Sequence, residues 1–330
     1  MLNKNILIFR TDRIGDLILS GPAIVSIKKY FKNSKITLVA SDKNYNYAKS
    51  LNIFDNIYRF PKNGLINKIK FIIKLSKKTF DYIFVFDGKD RSYICASLIK
   101  SNHKVALSTN LKFYHKFFNL KLFLFNKHKK IYEVYQKMIN YNKIPITISN
   151  YNFLKNKTNN NFSNKLPINR YVHIHLDEKW FINLYINDYT EINPLYDDFV
   201  KFINIIAQKN NIILTTGLKS FPLLNELKKN FFKKKEEKIY YKKSFNNFIY
   251  LIFLPTYNDL ESLIKNSKIL IICHGSLSHV ANHFDVKIVD IIEKNKVGFY
   301  NSYTHNFKNY NTVYRNDFKI LQKKILSYVN

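Results

Sequence analysis

Short apolar runs alternate with longer segments of helical period along the whole chain. In the first 110 residues the runs predict strands at 5–9, 36–40, 56–60, 81–86 and 104–108. The segments between them predict helices at about 16–32, 43–51, 65–78 and 90–100. This βαβ rhythm implies a mostly parallel sheet covered on both faces. A basic, aromatic stretch at 111–130 breaks the rhythm with Lys112, Phe113, Tyr114, His115, Lys116, Phe117 and Phe118. A helix at about 131–141 follows, and then an Asn- and Lys-rich segment without periodicity, read as a linker. A second rhythm predicts strands at 170–176, 211–216, 249–254, 268–273 and 286–292. Its helices fall at about 195–209, 220–233, 258–266, 276–284 and 317–328, with Ser220 as the cap and Pro222 in the first turn of the second. The chain therefore reads as an α/β protein of two Rossmann-like halves, 1–150 and 170–330, joined by 151–169. Its last helix is a candidate to pack back on the first half.

Composition narrows the class. Hydrophobic residues make up 46% of 330, enough to build a sizeable core. The formal net charge of +31 points to an anionic partner, such as nucleic acid, acidic lipid or a phosphorylated substrate. AT-biased codon usage gives the same excess of Lys, Asn, Ile, Phe and Tyr, and the lysines are spread along the whole chain. Cys95 and Cys273 sit in apolar runs and read as buried thiols. No apolar run approaches the length of a bilayer span, and the chain enters a strand almost at once, without a visible signal peptide. The expected place is the cytoplasm, with peripheral contact to an anionic membrane surface through 111–130.

Candidate chemistry clusters at two strand ends. The first strand stops at Arg10-Thr-Asp-Arg-Ile-Gly-Asp16 and a helix follows, so Asp16 lies where open α/β sheets bind ligands. It is a candidate general base, with helix capping as the plainer role. Arg10 and Arg13 either contact an acceptor phosphate or pair with Asp12 and Asp16; Asp12 reads as a turn or cap residue. Asp87, after the fourth strand, is a weaker acceptor contact. In the second half, His274-Gly-Ser-Leu-Ser-His279 follows a buried strand and opens a helix. Backbone N–H groups at such a helix start bind phosphate, and Gly275 permits close approach. His274, Ser276, Leu277, Ser278 and His279 are the donor-side candidates there, with Lys179 as a second phosphate contact. No third ligand accompanies His274 and His279, so no metal is expected. His173 and His175 share one strand face and carry no assigned role.

The run Arg10 to Ala23, followed by a helix and Lys35-Ile-Thr-Leu-Val-Ala40, resembles the opening of glycosyltransferase family 9, which contains the ADP-heptose:lipopolysaccharide heptosyltransferases. Asp259 to Lys268, the strand Ile269 to Cys273 and the loop His274 to Ala281 resemble that family's donor site, and Lys179-Trp180 resembles its Lys and Trp. The resemblance implies a GT-B fold, two Rossmann-like domains with parallel sheets facing a central cleft. It implies a nucleotide-diphosphate sugar donor held by the C-terminal half and a lipid-linked or lipopolysaccharide glycan acceptor held by the N-terminal half. It further implies inversion at the anomeric carbon, no required metal or other cofactor, and Asp16 as the base.

The chain departs from that pattern where the family has Asp-Ser/Thr-Gly before its His-bearing helix. Here those slots hold His274, Gly275 and Ser276, and the usual Glu after Gly217 is missing. An altered or inactive nucleotide-sugar-binding protein is therefore the first alternative. A basic nucleic-acid-binding protein is the second, although no RNP, helix-turn-helix or zinc signature supports it. A dehydrogenase is conceivable from the first βα turn, but Gly15 alone does not make GxGxxG.

Overall fold

The computed structural model describes residues 3–126, 128–141, 144–149, 153–156, 162–181 and 189–329. Lys127 of the basic stretch, and 150–152 and 157–161 of the expected linker region, lie outside the described residues. The chain divides into two compact units, Met1–Lys157 together with Asn301–His305, and Thr158–Tyr300 together with Asn306–Asn330.

The first unit alternates β1 (Asn5–Arg10), α1 (Ile14–Tyr30), β2 (Lys35–Ala40), α2 (Tyr45–Ser50), β3 (Asn56–Arg59), α3 (Leu65–Ser76), β4 (Tyr82–Val85), α4 (Asp90–Leu98), β5 (His103–Ser108), β6 (Lys121–Leu124) and α5 (Ile131–Asn140). Its six strands form one parallel sheet in the order β3-β2-β1-β4-β5-β6. Central β1 is apolar on both faces because both are covered. Leu7 and Phe9 pack with Phe71 and Leu75 of α3 and with Tyr93, Cys95 and Ala96 of α4. Ile6 and Ile8, fully buried, point to the opposite face. The basic aromatic stretch forms a short 3-10 turn, Phe113–Phe117, and then the edge strand β6, which its charges had masked.

The second unit contains β7 (Tyr171–Leu176), α6 (Tyr196–Ala207), β8 (Asn211–Thr216), α7 (Pro222–Glu226), β9 (Lys233–Lys234), β10 (Ile239–Ser244), β11 (Asn247–Ile252), α8 (Tyr257–Lys265), β12 (Ser267–Cys273), α9 (Ser276–His283), β13 (Lys287–Ile292), α10 (Val297–Thr304), β14 (Tyr310–Tyr314) and α11 (Phe318–Val329). The sheet order is β14-β13-β12-β7-β8-β11-β10-β9. Six of these strands run parallel, whereas β10 and β9 add an antiparallel edge. Lysines hide that hairpin in the sequence, and lysines are how exposed sheet edges resist further pairing. Its turn places Phe245 at φ 55°. The expected Ser220 cap does not form. The N-cap is Phe221 with no side-chain bond, and the Ser220 hydroxyl lies 3.4 Å from Asn225 Oδ1. The helix continues past Glu226 as one wide π turn, Leu227–Phe231.

Trp180, fully buried, anchors the second core with Phe199, Phe202 and Phe318. The last helix, α11, sits on α6 and β14 through Leu321 and Ile325. It belongs to the second unit, where its apolar stripe completes this aromatic core. The late segment that belongs with the first unit is Asn301–His305, where the Tyr303 ring meets Phe125 at 5.2 Å. Among the described residues no helix is long and apolar enough to cross a membrane.

Packing on α1 gives a direct test. A Cβ on Gly21 would lie 2.2 Å from the Phe153 ring, whereas one on Gly298 in α10 meets nothing within 4 Å. Gly21→Ala is expected to destabilise the protein by about 1–3 kcal/mol despite alanine's better helix propensity. Gly298→Ala is expected to be neutral or stabilising by up to ~1 kcal/mol. Urea denaturation of the two variants checks the ranking.

Candidate functional site

In the first unit the turn after β1 is organised by a buried guanidinium. Arg10 donates from Nε to the Asp16 carbonyl oxygen at 2.8 Å and from Nη1 to the carbonyl oxygen of Phe86. It also pairs with Asp12 at 3.3 Å and stands 3.9 Å from the Asp16 carboxylate. Arg10 is 3% exposed, so it holds the turn from inside rather than facing an acceptor. Arg13 is exposed and is the N-cap residue of α1; its backbone N–H donates to Asp16 Oδ2 at 3.2 Å. Asp16 therefore does cap the helix, as a carboxylate at a positive helix end should. Its side chain remains 42% exposed and open to a ligand.

Asp12 differs from a simple turn residue. Burial pushes its carboxyl up to about 7 against the pull of Arg10, and Oδ1 has no hydrogen-bond partner. Asp87 also turns inward. Its Oδ2 accepts from the Thr11 amide (3.0 Å), the Thr11 hydroxyl (2.7 Å) and the Ser92 hydroxyl (2.6 Å). Those bonds tie β4 to β1, which leaves this carboxylate a bracing rather than an acceptor-facing place. Arg91, unremarked in the sequence, clasps the same Thr11 hydroxyl at 3.0 Å.

In the second unit the loop from β12 to α9 is held from both sides. From β13, fully buried Asp290 accepts from Ser278 (3.2 Å) and Tyr310 (2.9 Å) and binds His274 Nδ1 at 2.5 Å. From the β7 side, Lys179 Nζ lies 2.9 Å from the His274 carbonyl, 3.3 Å from that of Cys273 and 3.2 Å from Asp177 Oδ2. A Cβ on Gly275 would lie 2.5 Å from that ammonium. Glycine leaves room for this close approach, and a larger residue would displace the flexible end of Lys179; its φ of −176° is ordinary extended backbone. Arg315 completes the frame, donating to the Lys179 carbonyl oxygen at 2.7 Å and pairing with Glu293 at 3.1 Å.

The loop thus presents two things: the first N–H groups of α9 at Ser276 and Leu277, which have no acceptor within the helix, and the Nε2 edge of His274, while the Ser276 side chain bonds to Tyr257. The Ser278 hydroxyl is engaged by Asp290, and the Leu277 side chain is buried, so only its backbone faces outward chemistry. His279 is 8% exposed, with its ring edge-on to Phe307 at 5.2 Å. Burial, with His274 and His283 nearby, holds it well below the usual histidine range, so it is neutral and backs the loop. Lys179 is chiefly a brace. Trp180 is core, its indole N–H bonded to the His175 carbonyl at 3.0 Å.

Two carboxylates went unnoticed in the sequence. Asp290 was signalled only as an acid inside the apolar run Lys287–Ile292. Glu178 follows β7 and lies against Gly217, where an added Cβ would stand 2.5 Å from its Oε2; that oxygen is buried without a partner. Among the described residues no group of three or more His, Cys, Asp or Glu side chains comes together to hold a metal.

His173 and His175 share the Thr215 hydroxyl, at 2.8 Å and 2.9 Å. Burial pushes both down to about 3 from the ordinary 6.5. Folded, they stay neutral, while the unfolded chain takes up protons below about 6.5. Their contribution is intact above that pH and is lost as pH falls toward 3, at about 1.4 kcal/mol per pH unit for each histidine. Denaturant titrations at stepped pH are expected to show this acid loss, and His173→Gln to make it shallower whatever its stability at neutral pH.

No protein-family model matches the chain, and no curated protein sequence matches it. Solved structures do. The glycosyl transferase family 9 protein of Veillonella parvula DSM 2008 superposes with TM-score 0.64 at 13% identity, over 98% of this chain and 89% of that one. The E. coli heptosyltransferase WaaC with ADP-2-deoxy-2-fluoro heptose gives 0.64 at 13%, over 98% of each. The UDP-GlcNAc 2-epimerase of Methanocaldococcus jannaschii gives 0.55 at 14%, over 99% and 92%. With two successive Rossmann-like units and matches along nearly its whole length, the chain has the GT-B fold, in the form that glycosyltransferase family 9 structures also take.

Proposed function

We propose that this protein is an inverting glycosyltransferase, moving a sugar from a nucleotide diphosphate to a hydroxyl of a cell-envelope glycan such as lipopolysaccharide core. The observation that carries this is the β12–α9 loop. A glycine-led helix start, with a histidine fixed by a buried carboxylate, offers hydrogen-bond donors to a diphosphate. The fold is shared with a heptosyltransferase bound to an ADP-heptose analogue. Residues Arg10 to Ala23 and His274 to Ala281 also resemble family 9 in order along the chain.

Asp16 takes the proton from the acceptor hydroxyl as that oxygen attacks the anomeric carbon. The bond from that carbon to the diphosphate breaks on the opposite face. The α9 N–H groups and His274 receive the departing negative charge, the task a divalent cation performs elsewhere. Asp290 holds His274 by Nδ1, so that Nε2 meets the phosphate. Glu178, beside Gly217, supplies the carboxylate missing after that glycine and accepts from a donor hydroxyl.

An inactive nucleotide-sugar binder is the second reading, favoured by His274 standing where the family has an acid. Asp16→Asn is expected to keep donor binding and to lower transfer by about 10²–10⁴-fold. His274→Ala is expected to weaken nucleotide-sugar binding by about ten- to a hundredfold. Thermal shift over a panel of nucleotide sugars, with radiolabel transfer to envelope glycan, reads both. Binding without transfer by the wild type would establish the inactive reading; near wild-type turnover by Asp16→Asn would remove the base assignment.

A further inference from the structure

Of the nineteen large hydrophobic side chains exposed among the described residues, ten lie between Leu65 and Phe117. They belong to the elements that cover one sheet face of the first unit, since α3, α4 and Phe118 beside the aromatic turn pack on one core. Helix α3 is the clearest case. Phe71 and Leu75 face that core, whereas Leu65 (74% exposed), Ile66 (68%), Ile69 (47%) and Ile73 (49%) face outward. At 100° per residue these four fall within about a 100° arc. Lys70, Lys74 and Lys77 continue the arc on one side. On the aromatic turn, Phe113 and Phe117 are 75% and 77% exposed with rings 6.0 Å apart. Asp90 pins this turn to α4, accepting from Lys112 at 2.8 Å and Tyr114 at 2.6 Å.

The charge around these side chains is one-sided. From 61 to 117 the chain has twelve Lys and Arg against three Asp. All three acids are engaged, Asp81 by Lys4, Asp87 by Thr11 and Ser92, and Asp90 by Lys112 and His115. A second copy of the chain is a poor occupant, because like charge would face like charge. Nucleic acid would neutralise the lysines and leave the isoleucines in water. A lipid surface with anionic headgroups takes both, with lysine ammoniums at the phosphates and Ile, Leu and Phe among the acyl chains.

We propose that this face of the first unit, α3 with the Phe113–Phe117 turn, docks on an anionic lipid bilayer surface. Binding there needs no donor, acceptor or turnover, so it stands or falls apart from the transferase assignment.

The test is cosedimentation of the full chain with vesicles of phosphatidylcholine alone or mixed with phosphatidylglycerol. Binding is expected only to the mixed vesicles and is expected to weaken as salt rises. The triple variant Ile66→Ser/Ile69→Ser/Ile73→Ser alters only exposed positions, so its Tm should stay near wild type while partitioning falls roughly tenfold or more. Phe113→Ser/Phe117→Ser tests the turn separately. Equal binding to both vesicle types, no binding to either, or unchanged partitioning by both variants would overturn the proposal. So would duplex DNA that binds the wild type and the triple variant alike and displaces vesicles, or light scattering that shows a dimer lost in the triple variant.

Discussion

The candidate site depends most on the buried carboxylate of Asp290. A carboxylate with no exposure is costly unless its lone pairs are met. Here His274, Ser278 and Tyr310 meet them. That requirement fixes the loop after β12, turns Ser278 inward and sets the His274 ring. Lys179 closes the loop from β7, and Gly275 is the residue that leaves room for its ammonium. The position of the α9 N-terminus is thus a consequence of how β7, β12 and β13 lie side by side.

The first unit solves a similar problem with the opposite charge. Buried Arg10 is surrounded by Asp12, the Phe86 carbonyl and the backbone of Asp16. Its neighbours keep β1, β4 and the start of α1 in register, leaving the Asp16 carboxylate at the surface of that arrangement. Asp12, deeper, is raised to about 7 chiefly by burial, with the nearby carboxylates of Asp16 and Asp87 adding to it against the pull of Arg10.

Much of this was legible in the sequence. Continuous apolar runs and segments of period 3.6 located the parallel strands and most helices, because strands buried on both faces allow few polar residues. What escaped was charged or short. Lysines on β9, β10 and β6 obscured strands at or next to the sheet edges, and the five residues of β14 lacked a continuous apolar run. At the site, Asp16, Gly275 and His274 could be picked out from their place after strands. Whether a polar side chain faces outward could not, since Ser278, Asp87 and Lys179 are engaged by groups distant in the chain. Asp290 and Glu178 were missed for the same reason, as their meaning lies in partners that only the fold supplies.

The central claim is that the β12–α9 loop binds a diphosphate. Calorimetric titration of ADP, UDP and GDP into the wild type and into Gly275→Val tests it most directly, because a branched side chain there collides with Lys179 and covers the helix start. Binding of at least one nucleotide by the wild type, lost in Gly275→Val while the fold is kept, is the predicted result. Equal affinity in both proteins, or no binding of any of the three, would contradict it.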